Sequence, residues 1–200
     1  MKDTYVTLAE PCIGELKDRG SKFIAYGYTV HSEAEIKQHL ETLKKENFKA
    51  CHFCYAYRLG LDGKKYRAND DGEPSGTAGR PILGQIDSFG LSNVLLVVVR
   101  YYGGTKLGTS GLKNAYKGAA KDAFEQANTI EKIVENYYNI TFDYAQTSDV
   151  MNFLKSEGYN ILESTYEEKT VLKVAVRLTD VELFSNKIKK IDQVKLEEIA

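Results

Sequence analysis

The sequence predicts an α+β protein of two successive units, residues 1–129 and 130–200. Three observations predict it. Val94 to Val99 are six consecutive aliphatics, three of them the β-branched Val97, Val98 and Val99, which reads as a central strand buried on both faces. A glycine-rich turn and an amphipathic helix follow, with Leu112, Ala115, Tyr116, Ala119, Ala123, Phe124 and Ala127 at three- and four-residue spacing. Past Asn128-Thr129 a complete strand–helix–strand–strand–helix–strand order begins afresh.

In the first unit, Thr7 to Lys17 and Lys22 to Val30 read as strands around the turn signal Asp18-Arg19-Gly20. His31-Ser32 offers a helix cap, and Ile36, Leu40 and Leu43 stripe a helix to about Glu46. Ala50 to Leu59 is a strand by its aromatics and alternation, with Asp62-Gly63 turning it back through Lys65 to Asn69. Cys51-x-x-Cys54 has the spacing of a metal or redox motif. Along a strand, however, side chains three apart point to opposite faces, and Tyr55 stands where haem attachment needs His. Inert thiols are the expectation, and no metal or cofactor is expected. His52 shares its face with Cys54, Ala56 and Arg58, as a packed core group or as a cleft residue.

Asp70 to Leu83, DDGEPSGTAGRPIL, holds two of the three prolines and three glycines, an irregular loop with fixed corners. Pro81 suits the first turn of a helix to about Ser88. Asp70, Asp71 and Glu73 are expected to accept the loop's own N–H groups and to pair with Arg80 or Arg100. Arg100, ending the central strand, is expected to be buried against one of these carboxylates.

The stretch after Arg100 carries the main functional signal. Tyr101 and Tyr102 lead into Gly103, Gly104, Lys106, Gly108 and Gly111, then into the helix. A helix N-terminus offers unpaired N–H groups and about half a positive charge, so the Gly103–Gly111 turn is a seat for a phosphate-type anion. It is not a Walker loop, because Lys106 precedes Gly108, and the dinucleotide Gly-x-Gly-x-x-Gly pattern is missing. The alternative is a turn whose glycines serve packing, with Arg100 in an internal ion pair.

In the second unit, Tyr138, Ile140, Phe142 and Tyr144 alternate on one strand face. Thr147-Ser148 caps a short helix that Gly158 stops, and strands follow at Asn160–Thr165 and Val171–Leu178. Thr179-Asp180 caps a helix carrying Val181, Phe184, Ile188 and Ile191, and Val194–Leu196 begins a last strand. The order βαββαβ fits a ferredoxin-like sandwich, a fold that fixes no function by itself.

Composition narrows the classes. Of the 200 residues, 42% are hydrophobic and 28% charged, ordinary for a globular chain. The longest aliphatic run is far short of the roughly 20 residues that span a bilayer, and Met1-Lys2-Asp3-Thr4 opens without the apolar core of a signal peptide. Three cysteines argue against a disulfide framework. A cytoplasmic protein with no membrane partner is the expectation. The net charge of −1 leaves no overall nucleic-acid footprint. Residues 1–129 nevertheless carry 18 Lys+Arg against 15 Asp+Glu, and residues 130–200 carry 9 against 13, a weak pointer to phosphate contact on the first unit.

Four blocks carry a resemblance to a known family. They are Ser21-Lys22-Phe23-Ile24-Ala25, Ala50-x-His52-x-Cys54-x-Ala56-Tyr57, Asp70-Asp71-Gly72-Glu73-Pro74-Ser75-Gly76-Thr77-Ala78-Gly79-x-Pro81, and Arg100-Tyr101-Tyr102-Gly103-Gly104-x-Lys106-Leu107-Gly108. Together they resemble the YigZ/IMPACT family in its bacterial two-domain form. The resemblance implies a first domain similar to the second domain of a small-subunit ribosomal protein and to domain four of elongation factor G, an αβ sandwich. It implies a second, ferredoxin-like domain similar to elongation factor G domain five. Eukaryotic relatives regulate translation through an extra N-terminal domain. Met1 lies only some twenty residues before the first block, so that domain and its kinase regulation are not carried over. Lys22 and Tyr102 stand where the family often has Arg and Phe, changes that keep charge and ring.

Three function classes follow. The leading one is a translation-linked regulatory protein that binds RNA, the ribosome or another phosphate-bearing partner, with no catalysis. Lys22, Arg80, Arg100 and Lys106 would meet phosphates, and Tyr101 or Tyr102 would stack on a base. The alternative is an enzyme on a small phosphorylated substrate, with His52, Asp71 and Glu73 as acid/base groups. An adaptor using the second unit's sheet has no specific motif behind it. Oligomeric state is not legible.

Overall fold

The computed structural model describes residues 3–61 and 64–199; the expected turn at Asp62-Gly63 lies outside the described residues. The single strand expected over Thr7–Lys17 is two strands, β1 Thr4–Leu8 and β2 Cys12–Asp18. Ala9-Glu10-Pro11 breaks it, because Pro11 has no N–H to give a ladder. Next come β3 Ser21–Thr29, α1 Glu33–Glu46, β4 His52–Leu59, β5 Lys65–Asn69, α2 Gly79–Ser88, β6 Val94–Tyr101 and α3 Gly108–Glu125. Ser32 starts α1, its Oγ accepting the Glu35 N–H at 3.2 Å while the Glu35 carboxylate accepts the His31 N–H at 3.1 Å.

These strands make an antiparallel sheet in the order β2-β3-β6-β4-β5, with β6 at its centre. Strand parity divides β6 between two cores. Val94, Leu96 and Val98 pack with Phe23, Ala25, Cys54 and Ala56 beneath α2 and α3. Leu95, Val97 and Val99 pack with Phe53 and Tyr57 beneath Ile36 and Leu43 of α1. All six aliphatics are fully buried, each contributing about 1.5–3 kcal/mol relative to exposure. Arg100 continues the α2/α3 face and Tyr101 the α1 face.

α3 starts at Gly108, a turn before the Leu112 at which its apolar period becomes visible. Gly108, Thr109 and Ser110 are exposed, so that first turn carries no burial pattern to read.

The chain continues as β7 Thr129–Ile133, β8 Glu135–Phe142, a 3₁₀ turn at Tyr144–Gln146, α4 Thr147–Glu157, β9 Asn160–Tyr166, β10 Thr170–Arg177, α5 Val181–Ile188 and β11 Lys195–Ile199. β1 and β7 form a two-stranded sheet. The second unit's sheet runs β11-β8-β10-β9, all antiparallel, the ferredoxin-like strand order. Its core joins Tyr138, Ile140, Phe142, Leu172, Val174 and Val176 to Val150 and Leu154 of α4 and Phe184 and Ile188 of α5. α4 ends at Gly158, which takes φ 76° to close the helix. Thr147, expected as its cap, lies inside it, with Gln146 at the cap position.

By compactness the chain divides into Tyr5–Lys132 and a unit from Ile133 onward that takes in Asp3 and Thr4. The Asp3 carboxylate accepts from Arg177 Nε at 2.9 Å and from the Thr179 hydroxyl at 3.0 Å. No helix among the described residues is long and apolar enough to cross a membrane.

Candidate functional site: the cavity at the start of α3

Three strands set the floor of the site. In the sheet register Arg100 lies opposite Phe23 of β3 on one side and His52 of β4 on the other. The Arg100 guanidinium sits 5.5 Å from the Phe23 ring and 5.5 Å from the Tyr102 ring. Its Nη1 donates to Glu73 Oε1 at 2.5 Å, both side chains being buried. The Tyr116 hydroxyl of α3 donates to the same oxygen at 2.7 Å, and the Cys54 thiol stands 3.3 Å from that hydroxyl. Arg100 is therefore buried and paired as expected, and Glu73 is its carboxylate. One donor is left over: Arg100 Nε is buried without an acceptor.

Burial is the main cause of two large shifts here. It pushes the Tyr116 hydroxyl far above its ordinary range, with Cys54 and Glu73 adding to the effect. It likewise raises the Cys54 thiol, a trend that the Tyr116 hydrogen bond opposes and the charges of Glu73, Asp71 and Asp70 strengthen. Cys54 is thus a protonated, inert thiol. Cys51 is exposed, and its Sγ lies 3.2 Å from the Arg100 carbonyl oxygen. Among the described residues no three His, Cys, Asp or Glu side chains converge as for a metal ion.

The Pro/Gly loop is tied down by its own acids. Asp70 Oδ1 accepts the N–H groups of Ala78 and Gly79 at 2.9 and 2.8 Å, and Oδ2 accepts that of Gly76 at 2.8 Å. Burial works to raise the pKa of Asp70. The N–H groups of Gly76, Gly79 and Ala78 and the charge of Arg80 outweigh it and hold the carboxyl below its ordinary value. Asp70 so occupies the N-terminus of α2. Asp71 Oδ2 accepts the Phe53 N–H at 2.6 Å, tying the loop to β4. The Asp71 carbonyl oxygen lies 2.8 Å from His52 Nδ1. A carbonyl only accepts, so Nδ1 carries a proton, and in that tautomer of the imidazole Nε2 is the acceptor. That Nε2 is 4.0 Å from Glu73 Oε1.

Above this floor opens a cavity of about 490 Å³. His52, Glu73, Arg100 and Lys106 give it polar groups, and Pro74, Tyr102, Leu107 and Leu112 give it apolar wall. Gly108 and Thr109, the first residues of α3, complete the lining. Leu107, at the cap position of α3, makes no side-chain cap and no acid lies in the helix's first turn, so the positive end of α3 lies at the cavity lining formed by Gly108 and Thr109.

The sequence candidates divide by strand parity and by this cavity. His52, Glu73, Arg100, Tyr102, Lys106 and Gly108 meet in it. Lys22 and Tyr101 lie on the α1 face instead. Lys22 Nζ pairs with Glu15 Oε2 at 2.7 Å, and the Tyr101 hydroxyl donates to Asn47 Oδ1 at 2.8 Å. Arg80 is exposed on α2, outside the lining, and the Asp71 carboxylate is engaged by backbone. Gly103 approaches the protein's own backbone: a Cβ there would lie 1.9 Å from the Gly20 carbonyl carbon. Its N–H donates to Ser21 Oγ at 3.1 Å. Gly104 takes φ 85° in open space. The residues that sequence reasoning missed are Phe23, Pro74, Leu107, Thr109, Leu112 and Tyr116. Parity along Ser21–Ala25 carries the signal for Phe23. Tyr116 reads only as one more member of an apolar stripe.

Comparison with known proteins agrees with this architecture. The Impact N-terminal domain matches residues 19–124, and a domain of unknown function, DUF1949, matches residues 140–191. The IMPACT family member YigZ of Escherichia coli (strain K12) is 34% identical over 200 residues, covering 99% of this chain and 98% of that protein. A crystal structure described only as that of a hypothetical protein is 31% identical, with a TM-score of 0.72 over 100% of this chain and 98% of its own. A structure described as a two-domain translational regulator is 29% identical over 61% of this chain and 47% of its own, with a TM-score of 0.36, too low for an argument from shape. With one domain matched over half the chain and a full-length relative above 30% identity, the chain belongs to the IMPACT family.

Proposed function

We propose that this chain is a translation-linked binding protein that holds a phosphate-bearing partner, RNA or the ribosome, at the α3 cavity and does so without catalysis. The link to translation rests on the family resemblance. The binding mode rests on one observation: the uncapped N-terminus of α3 opens, beside Lys106, into a cavity floored by a buried arginine with a spare donor. Backbone N–H groups and a lysine suit phosphate oxygens without reading sequence, and the exposed Tyr102 ring suits a base.

Filter binding of short RNAs and ribosome co-sedimentation, each at two salt concentrations, test it. Lys106→Ala should weaken binding alike for different sequences and flatten the salt dependence by about one unit of slope. Tyr102→Ala should cost about 1–3 kcal/mol of binding with an unchanged melting curve, whereas Tyr101→Ala should lose fold stability instead. No association at low salt, with the protein folded, overturns the RNA reading. It would promote an enzyme on a small phosphorylated substrate, which one observation favours: His52 Nε2 is a free proton acceptor on the cavity, beside Glu73.

A further inference from the structure

We infer that the cavity is built for a single 5′-nucleotide unit, with its phosphate at the start of α3, its ribose hydroxyls on His52 and Glu73, and its base against Tyr102. The inference rests on the proposed phosphate contact and names the ligand that makes it.

The phosphate end follows from charge. Arg100 and Glu73 neutralise one another, and the His52 tautomer that donates Nδ1–H to the Asp71 carbonyl adds no charge of its own. What remains is one full charge on Lys106 and about half a charge at the helix terminus. That surplus matches a phosphate of one to two negative charges. Arg100 adds a cationic group to the lining: its side chain is more than nine-tenths buried, and its Nε meets no acceptor among the described residues.

The other end of the ligand follows from what the floor lacks. His52 Nε2 and the Glu73 carboxylate, 4.0 Å apart, are both acceptors. An inorganic phosphate dianion keeps a single P–O–H, so with its other oxygens on the rim it could meet at most one of the two floor acceptors. A ligand that fits both ends carries an anion at one and neighbouring donors at the other, as a ribose phosphate does. Two adjacent acceptors suit two adjacent hydroxyls, and the 2′-hydroxyl is the group that separates ribo- from deoxyribonucleotides.

The walls supply the third element. Pro74, Leu112 and the half-exposed Tyr102 ring give the lining apolar surface, and the Tyr102 ring suits a planar base. The volume of about 490 Å³ falls in the range of roughly 300–1,000 Å³ typical of small-ligand pockets. A free mononucleotide and the 5′-terminal nucleotide of an RNA strand present the same chemistry to such a site.

Calorimetric titration of the full chain tests this with adenosine 5′-monophosphate, its 2′-deoxy analogue, adenosine and inorganic phosphate. Two short RNAs alike except for a 5′-phosphate or a 5′-hydroxyl complete the set. The mononucleotide should bind at least about tenfold more tightly than phosphate or adenosine, and several-fold more tightly than the deoxy form. Lys106→Ala should weaken the mononucleotide but not adenosine. His52→Leu should erase the ribo–deoxy difference, and His52→Gln, which keeps an acceptor, should restore part of it; melting curves confirm that each variant is folded. A 5′-phosphorylated RNA that outbinds the mononucleotide assigns the site to a strand end, and the reverse order assigns it to the free nucleotide. Equal binding of mononucleotide, adenosine and phosphate overturns the inference. Binding of the 5′-hydroxyl RNA as tightly as its phosphorylated twin, with no mononucleotide binding, overturns it too while leaving the RNA reading intact. Failure of every probe overturns both.

Discussion

Arg100 Nη1 and Glu73 Oε1 meet at 2.5 Å, with side chains only 7% and 4% exposed. A buried pair of this kind adds little over a well-packed apolar pair, but half of it is costly. Arg100→Ala should leave the Glu73 carboxylate buried against Tyr116 alone and destabilise the first unit by about 3–5 kcal/mol. The double change Arg100→Met with Glu73→Leu should recover most of that loss. Urea unfolding measures both; a single variant as stable as wild type would sink the argument that this pair clamps the loop to β6.

Asp70 makes the α2 start sensitive to acid. Its folded pKa lies below the ordinary 3.8, so its contribution is present in full above the unfolded pKa and is lost as pH falls through the folded one. Asp70→Asn keeps one accepting oxygen but turns an NH2 on a backbone N–H, so it should cost about 1 kcal/mol at neutral pH, a gap that narrows as pH falls below 3.8 and through the folded pKa. Thermal melts from pH 7 down to strong acid check this. Parallel curves for the two proteins would refute it.

Two neighbouring glycines should behave differently. A Cβ at Gly103 would sit 1.9 Å from Gly20 carbonyl carbon and 2.2 Å from Ser21 nitrogen, a clash of backbone on backbone. Gly103→Ala should therefore cost at least the upper end of the roughly 1–3 kcal/mol range for overpacking. Gly104 meets nothing within 4 Å but has φ 85°, so Gly104→Ala should cost about 1–2 kcal/mol from the left-handed backbone alone. Equal melting temperatures for the two variants would show that the Gly20 contact is softer than its geometry.

Much of this was legible in the residue order. The run Val94–Val99 locates the central strand, and the aromatic-rich stretch beside it gives β4, which starts at His52 and so leaves Cys51 just outside the strand expected from Ala50. Strand parity separates Lys22 and Tyr101 from Arg100, although sequence proximity groups all three with the site. β7 escaped because its residues Thr129–Ile133 are all exposed, leaving no alternation to read. The cavity floor was half legible. Its charged members stand out by type, but the reach of the Tyr116 hydroxyl to Glu73 depends on where α3 lands over the sheet. Nothing in a helical stripe records that.

β6 lies between β3 and β4, yet it is made after both. During synthesis the hairpins β2–β3 and β4–β5 therefore emerge with no strand to join them, the inner edges of β3 and β4 still bare of partners for their N–H and C=O groups. Such edges invite pairing with other chains, and the long-range contacts that close them are slow to form. Residues 94–101 seal both at once, so the sheet has a single late moment of closure. Nascent chains halted before Val94 should be readily cut by protease at β3 and β4, and chains extended through α3 should resist.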